Sequence, residues 1–326
     1  MRWLLTAAAA FALTLLVGHF LIPALRALKA GQTIREVGPS WHNSKEGTPT
    51  MGGIMFIVSV LVVVTVAGWK DMRQGHLEHL YVPAFALVCG LIGFIDDFVK
   101  VKRKQNLGLT ALQKFALQLA AAGAYLALLR WNGNLTCELY IPFWNVTFTI
   151  HWVVYLIFAA LVMVGCVNAV NLTDGVDGLA AGVSLPVMVF FCAAALMWKK
   201  AELALVPSAM IGGLLGFLCY NFHPAKVFMG DTGSLFLGGL VCGMAFALDM
   251  PLILVLVGLV FLAETLSVMM QVTFFKLTHG KRIFNMTPIH HHFEMCGWSE
   301  KKIFTVFTLV TAVMCVLAWL GIAGRV

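Results

Sequence analysis

The aspartates are the residues of this chain whose types and setting most clearly suggest chemistry. Asp96 and Asp97 stand in Gly93-Phe94-Ile95-Asp96-Asp97-Phe98-Val99-Lys100, and Asp174 and Asp177 in Asn171-Leu172-Thr173-Asp174-Gly175-Val176-Asp177-Gly178. Asp231 follows in Phe228-Met229-Gly230-Asp231-Thr232-Gly233-Ser234. All three runs border long apolar stretches, where a charge costs roughly 2.5–3.5 kcal/mol at a helix centre on insertion scales. Charges kept at that cost point to function. Carboxylates gathered at one membrane surface suit Mg²⁺, a hard ion that prefers oxygen ligands and phosphate. Each aspartate also has a structural alternative. Asp96 and Asp97 can end a helix, although acids there oppose the macrodipole. Asp174 can form a turn among glycines, and Asp231 can cap the helix that follows it. Adjacent residues lie about 100° apart on a helix, so Asp96 and Asp97 are expected to have separate roles.

A second set of polar residues is basic. Pro288-Ile289-His290-His291-His292-Phe293-Glu294 carries three neighbouring histidines, with Lys281 and Arg282 close by. In an extended or turning segment these rings cannot all face one ligand, and no regularly spaced partners support zinc. Phosphate or other anion contact is the reading preferred over zinc or a solvated loop, because such side chains stabilise charge on a diphosphate during transfer. The run from His42 to Gly53 adds hydrogen-bond donors, glycines and the cation Lys45; it reads either as part of the same site or as an ordinary basic loop. Lys100, Lys102, Arg103 and Lys104 suit anionic lipid heads, a signal that overlaps with topology bias.

The elements that must hold these residues are membrane helices. Of 326 residues, 60% are hydrophobic and only 11% charged, against roughly a quarter charged in soluble domains. Spans of about 20 apolar residues are expected at 3–25, 52–69, 80–99, 111–130, 151–170, 179–198, 203–221, 234–249, 252–275 and 303–324. The predicted fold is therefore all-α and polytopic, with about ten transmembrane helices in one integral-membrane domain over 1–326. The first span is read as a retained helix rather than a signal peptide. Fourteen of the 22 Lys and Arg residues fall in the loops that carry the motifs, and seven on the opposite side. That bias puts the motif loops in the cytoplasm and both termini in the periplasm. It also accounts for the +7 net charge without any nucleic-acid partner. Around 131–150 an alternating pattern with Pro142 predicts a small periplasmic hairpin. The eight cysteines fall mostly inside apolar segments without paired spacing and read as packing residues. Glu264, near the middle of the ninth span, is the acid this scheme leaves over.

In these motifs the chain resembles the bacterial phospho-N-acetylmuramoyl-pentapeptide transferases, within the wider polyprenyl-phosphate N-acetylhexosamine-1-phosphate transferases. HNSKEGTPTMGG, IDDFVK, NAVNLTDGVDGL, FMGDTGS and PIHHHFE occur in order from Gly38 to Glu294, and the last resembles the muramoyl-pentapeptide branch most. The resemblance implies a ten-helix protein of the bacterial cytoplasmic membrane, a homodimer, with its active site facing the cytoplasm. Its partners would be UDP-MurNAc-pentapeptide, undecaprenyl phosphate and membrane lipid. Undecaprenyl phosphate would attack the sugar-proximal phosphorus, giving lipid I and UMP. It further implies that Asp231 binds Mg²⁺ and that Asp96, Asp97, Asp231 and His290 form the catalytic centre. Lys45, Asn168, Asn171, Asp174, Asp177 and Phe228 match positions around the nucleotide, Phe228 as a stacking ring. His290 and His291 match positions near the diphosphate, and Lys100 is a further substrate contact. Direct attack is preferred to a covalent aspartyl intermediate, because the lipid phosphate is already anionic.

Two other readings compete. A UDP-GlcNAc:polyprenyl-phosphate transferase would keep the chemistry, and PIHHHFE argues against it. A transporter would place its charges near the bilayer midplane at broken helices, whereas here they gather at one surface.

Overall fold

Each of the ten expected apolar segments forms helix in the computed structural model, which describes residues 1–28, 47–103, 105 and 107–325. The chain begins with α1 (Arg2–Ala27), α2 (Ile54–Ala67), the short α3 (Trp69–Arg73), α4 (Glu78–Arg103) and α5 (Ala111–Trp131). A hairpin of β1 (Glu138–Ile141) and β2 (Val146–Thr149) leads to α6 (Trp152–Thr173), α7 (Leu179–Met197), α8 (Leu205–Asn221) and α9 (Gly230–Ala247). The stub α10 (Leu254–Val257), α11 (Leu259–Leu277), the short α12 (Ile289–Met295) and α13 (Glu300–Ile322) complete it. Eight of these helices are long and apolar enough to cross a membrane; α2 and α8 are shorter apolar helices. The fold is that of an all-α polytopic membrane protein.

The expected hairpin is present: Glu138 pairs with Thr149 and Ile141 with Val146 in antiparallel register. It is fastened to the end of α13, where the Phe143 N–H and the Tyr140 hydroxyl both donate to the Gly321 carbonyl at 3.0 and 3.1 Å. The eight cysteines are free thiols. Arg2 pairs with Asp71 and donates to the Ala67 carbonyl, which ties α1 to the α2–α3 junction.

Three local expectations need correction. Asp96 and Asp97 do not end a helix, because α4 continues to Arg103. Lys100, Lys102 and Arg103 in its last turn complement the carbonyl end, and Lys100 pairs with Asp96 one turn back. The segment at His290–His292 is neither extended nor a turn but the helix α12. The ninth span is interrupted at Gly258, with Pro251 opening a 3₁₀ turn before α10 and α11 starting after the glycine.

The centre of the bundle is α9, 89% of whose apolar window is buried by other helices, against 28% for α1 and α13. Glycine and alanine recur along α9, at Gly233, Gly238, Gly239, Gly243 and Ala245, and small residues let neighbouring backbones approach. On the outer helices large apolar side chains such as Leu16, Phe20, Val154, Ile157, Leu309 and Val313 are exposed, as lipid-facing surfaces require.

Candidate active site

The N-terminus of α9 is the point where the polar residues converge. Gly230 has φ +73°, a left-handed conformation that favours glycine. A Cβ there would lie 2.7 Å from Asp97 Oδ2 and 2.8 Å from Thr50 Oγ1. The residue preceding α9, Met229, provides no side-chain cap. Asp97 supplies one from α4: its Oδ2 accepts the Thr232 N–H at 2.9 Å and the Thr232 hydroxyl at 2.7 Å. This is why α9 begins at Gly230, four residues before the expected start of its span. A carboxylate at a helix N-terminus satisfies an orphan donor and the positive end of the macrodipole together.

Asp96 and Asp231 share a pair of lysines. Lys100 Nζ lies 2.6 Å from Asp96 Oδ2 and 3.1 Å from Asp231 Oδ2. Lys114 Nζ, from the first turn of α5, lies 2.9 Å from Asp96 Oδ2 and 2.7 Å from Asp231 Oδ2. Asp96 Oδ2 meets both ammonium groups as ion pairs without well-aimed hydrogen bonds. Its Oδ1 accepts the Leu109 N–H at 2.7 Å, and the side chain is fully buried. Asp231 is the more open partner, with 18% of its side chain exposed. Its Oδ1 accepts from Asn171 Nδ2 at 2.9 Å, and the same amide contacts Ser234 Oγ at 2.8 Å. The adjacent pair thus divides as the helical angle predicts: Asp97 faces α9 and Asp96 faces the lysines.

Asp174 caps the C-terminus of α6 and is half-buried. Burial, reinforced by the negative charges of Asp231, Asp97 and Asp177, pushes its carboxyl up to about 8. Asp177 turns toward a different group: its Oδ2 accepts the Ala225 N–H at 3.0 Å and lies 3.0 Å from His223 Nδ1. His223 Nδ1 is also 3.5 Å from Glu300 Oε2. These residues, with Thr48, Glu294 and Trp298, line a cavity of about 660 Å³.

The remaining expected site residues are less central. Asn168 sits one turn along α6 from Asn171 and donates to Gln118 Oε1 at 2.6 Å and to the Val164 carbonyl at 2.8 Å. Phe228 is half-buried; its N–H donates to the Pro49 carbonyl, and its carbonyl accepts the Gly52 N–H, each at 2.8 Å. His290 is fully buried against Glu264, whereas His291 lies near the surface and pairs with Glu294 at 2.6 Å. Lys45 lies outside the described residues. Sequence reasoning missed Lys114, a lysine near the start of the expected 111–130 span, as a site residue. It also missed Thr232, which lies inside FMGDTGS but was given no role, and Gln118, His223 and Glu300, which lie in no motif.

Among the described residues, two groups bring three potential ligands within 4.8 Å of one another: Asp96–Asp97–Asp231 and Asp177–His223–Glu300. The first is all carboxylate oxygen, a donor set that fits Mg²⁺. The second already has its imidazole placed between two carboxylates.

Comparisons with known proteins agree in direction. The Glycosyl transferase family 4 profile matches residues 79–249, and the phospho-N-acetylmuramoyl-pentapeptide-transferase signature 1 matches residues 45–57. The phospho-N-acetylmuramoyl-pentapeptide-transferase of Clostridium acetobutylicum is 44% identical over 318 residues, covering 96% of each chain. That of Acetivibrio thermocellus is 47% identical over 316 residues, 96% of this chain and 93% of its own. The Bacillus cytotoxicus protein is 45% identical over 315 residues, 96% of each.

Proposed function

The chain belongs to the phospho-N-acetylmuramoyl-pentapeptide transferase family, and we infer from that membership and the geometry above that it makes lipid I in peptidoglycan synthesis. It transfers phospho-MurNAc-pentapeptide from its UDP donor to undecaprenyl phosphate, and UMP leaves. The observation that carries the mechanism is the four-residue cluster in which Lys100 and Lys114 both face Asp96 and Asp231.

The barrier in this reaction is the meeting of two anions. An oxygen of the lipid phosphate forms a bond to the sugar-proximal phosphorus, the bond to the UMP oxygen breaks, and UMP carries off the electron pair. The acceptor is already anionic and needs no strong base. The site's task is therefore to position two phosphates and offset their repulsion. Lys100 and Lys114 are held in place by the carboxylates they pair with, and their ammonium groups supply charge to the incoming phosphates without reorganising at the moment of reaction. Asn171 orients Asp231 through its amide. Mg²⁺ held by Asp231, with Asp96 and Asp97 beside it, would add Lewis-acid neutralisation of the diphosphate.

Asp97 is better suited to orienting than to covalent attack. One of its oxygens is committed to Thr232, and the side chain is buried. This supports direct transfer. The donor's nucleotide is assigned to the region of Asp174, Asp177, Asn168 and Phe228, with the Asp177-lined cavity of a size suited to such a group, and Lys45 is a nucleotide contact on the family resemblance alone. His291, half-buried beside His290 on α12, is assigned to the diphosphate. The protein acts as a single integral-membrane domain of the bacterial inner membrane. Its active site is assigned to the cytoplasm, where the soluble donor is made and where the Lys and Arg bias points. A homodimer is the proposed active form on the family resemblance alone.

The test is to incubate purified protein with undecaprenyl phosphate and either UDP-MurNAc-pentapeptide or UDP-GlcNAc, with Mg²⁺ or with excess chelator. UMP release and lipid I formation only with the first donor and with metal are expected. Turnover of UDP-GlcNAc instead would refute the substrate assignment, and full activity in chelator would refute the metal.

A further inference from the structure

Glu264 has no task in the proposed reaction, yet it lies fully buried on the membrane-spanning helix α11, among residues that face membrane. A carboxylate there is expensive unless it is paired. Its Oε2 lies 3.0 Å from His290 Nδ1 and 3.4 Å from the backbone N–H of the same residue. The helix it meets, α12, starts after Pro288, which has no side-chain cap to offer. One oxygen from α11 therefore holds both the backbone end of α12 and the orientation of its first histidine ring.

The opposite edge of that ring is equally constrained. His290 Nε2 is buried with no hydrogen-bond partner. A Cβ added at Gly175 would lie 2.2 Å from Nε2, so the ring is pressed against the loop between Asp174 and Asp177. On its own helix the His290 ring packs at 4.1 Å, centroid to centroid, on His291. A single imidazole thus joins α11, α12 and the Asp174–Asp177 loop.

We propose that Glu264 is a positioning residue, which acts through His290 to fix His291 and the Asp174–Asp177 loop relative to each other for the nucleotide-diphosphate donor. Resting on the function proposed above, the inference adds a residue to the donor side of the site and none to the lipid-phosphate side. Fully buried on α11, Glu264 touches neither substrate directly. Its effect is on the placing of His290, His291 and the Asp174–Asp177 loop, the groups matched to the donor.

The experiment compares wild type with Glu264→Leu, Glu264→Gln and Gly175→Ala in the full-length protein, normalised to folded protein by thermal melting. The readouts are kcat and the KM for UDP-MurNAc-pentapeptide and for undecaprenyl phosphate, measured separately. Leucine fills the volume but removes the acceptor, leaving the ring and backbone N–H unsatisfied; about a tenfold or larger rise in donor KM is expected, with acceptor KM within about twofold. Glutamine keeps an oxygen that accepts from His290 and should stay within about threefold of wild type. Gly175→Ala leaves Glu264 intact, displaces the ring and should raise donor KM selectively. If Glu264→Leu does not fold, the other two variants decide. The inference is overturned if Glu264→Leu or Gly175→Ala leaves donor KM unchanged. It is equally overturned if both KM values rise together, or if Glu264→Gln is as impaired as Glu264→Leu. Wild-type protein inactive on UDP-MurNAc-pentapeptide would refute the function itself, a result separate from these.

Discussion

Replacing Lys114 by methionine tests the electrostatic core of the mechanism. Lys114 contacts Asp231 at 2.7 Å and Asp96 at 2.9 Å, so its loss leaves two carboxylates facing Lys100 alone. The balanced charge of the four-residue cluster becomes −1 just where two phosphate anions must approach. A unit charge pair about 4 Å apart at an effective dielectric of about 20 is worth about 4 kcal/mol. Lys114 and Asp231 are 22% and 18% exposed, and water at that level reduces the figure to about 2–3 kcal/mol. The expected result is a fall in kcat/KM of about 30- to 150-fold, comparable to removing one preorganised donor from an oxyanion site. Lys114→Arg, which keeps the charge, should recover most of it. Lys102→Met is the control: that lysine is exposed on the last turn of α4, and its loss should change activity by no more than about twofold. UMP release from UDP-MurNAc-pentapeptide is the assay, with a melt in detergent to count folded protein. Lys114→Met within about threefold of wild type, or a loss matched by Lys102→Met, would show the reasoning to be wrong.

Three further outcomes are expected. Asp174, with its carboxyl raised to about 8 by burial and nearby acids, is protonated in the folded chain between about pH 4 and 8 but ionised when unfolded. Its contribution to stability is present below pH 4 and declines as pH rises toward 8, so Asp174→Asn should flatten that decline in melts at pH 5 and pH 8; an unchanged slope would remove the group from consideration. Delipidated enzyme should not exchange labelled UMP into UDP-MurNAc-pentapeptide without undecaprenyl phosphate, whereas a covalent aspartyl route would permit exchange. In a cysteine-free background, an impermeant thiol reagent on intact cells should label Asn132→Cys and spare Lys281→Cys; the reverse pattern would invert the topology.

The ten helices were legible because a membrane demands long apolar runs, and each left its mark in composition alone. The five aspartates were legible because charge beside such runs is costly. Connectivity was not. Nothing in IDDFVK announces that Asp97 would cap a helix beginning 133 residues later, since its partner, Thr232, sits in the separate run FMGDTGS and only packing joins the two. Lys114 stands inside an expected span, but its two carboxylate partners lie on α4 and α9 and required the bundle to bring them near. Glu264 was noticed and left unassigned for the same reason: its explanation lies across the fold, on α12. The histidine run was misread as non-helical because Pro288 and short length weaken any helical pattern, and the stabilising cap comes from another helix.

The double employment of Asp97 bears on how resistance to an inhibitor could arise. A compound that engages the second oxygen of Asp97 contacts a side chain whose first oxygen holds the opening turn of the most enclosed helix in the bundle. Escape by substitution there would give up the cap, typically about 0.5–2 kcal/mol, together with whatever the carboxylate does for the phosphates. Contacts to exposed residues such as Lys281 or Arg282 carry no such linked penalty, and variants that evade a drug should appear among them first.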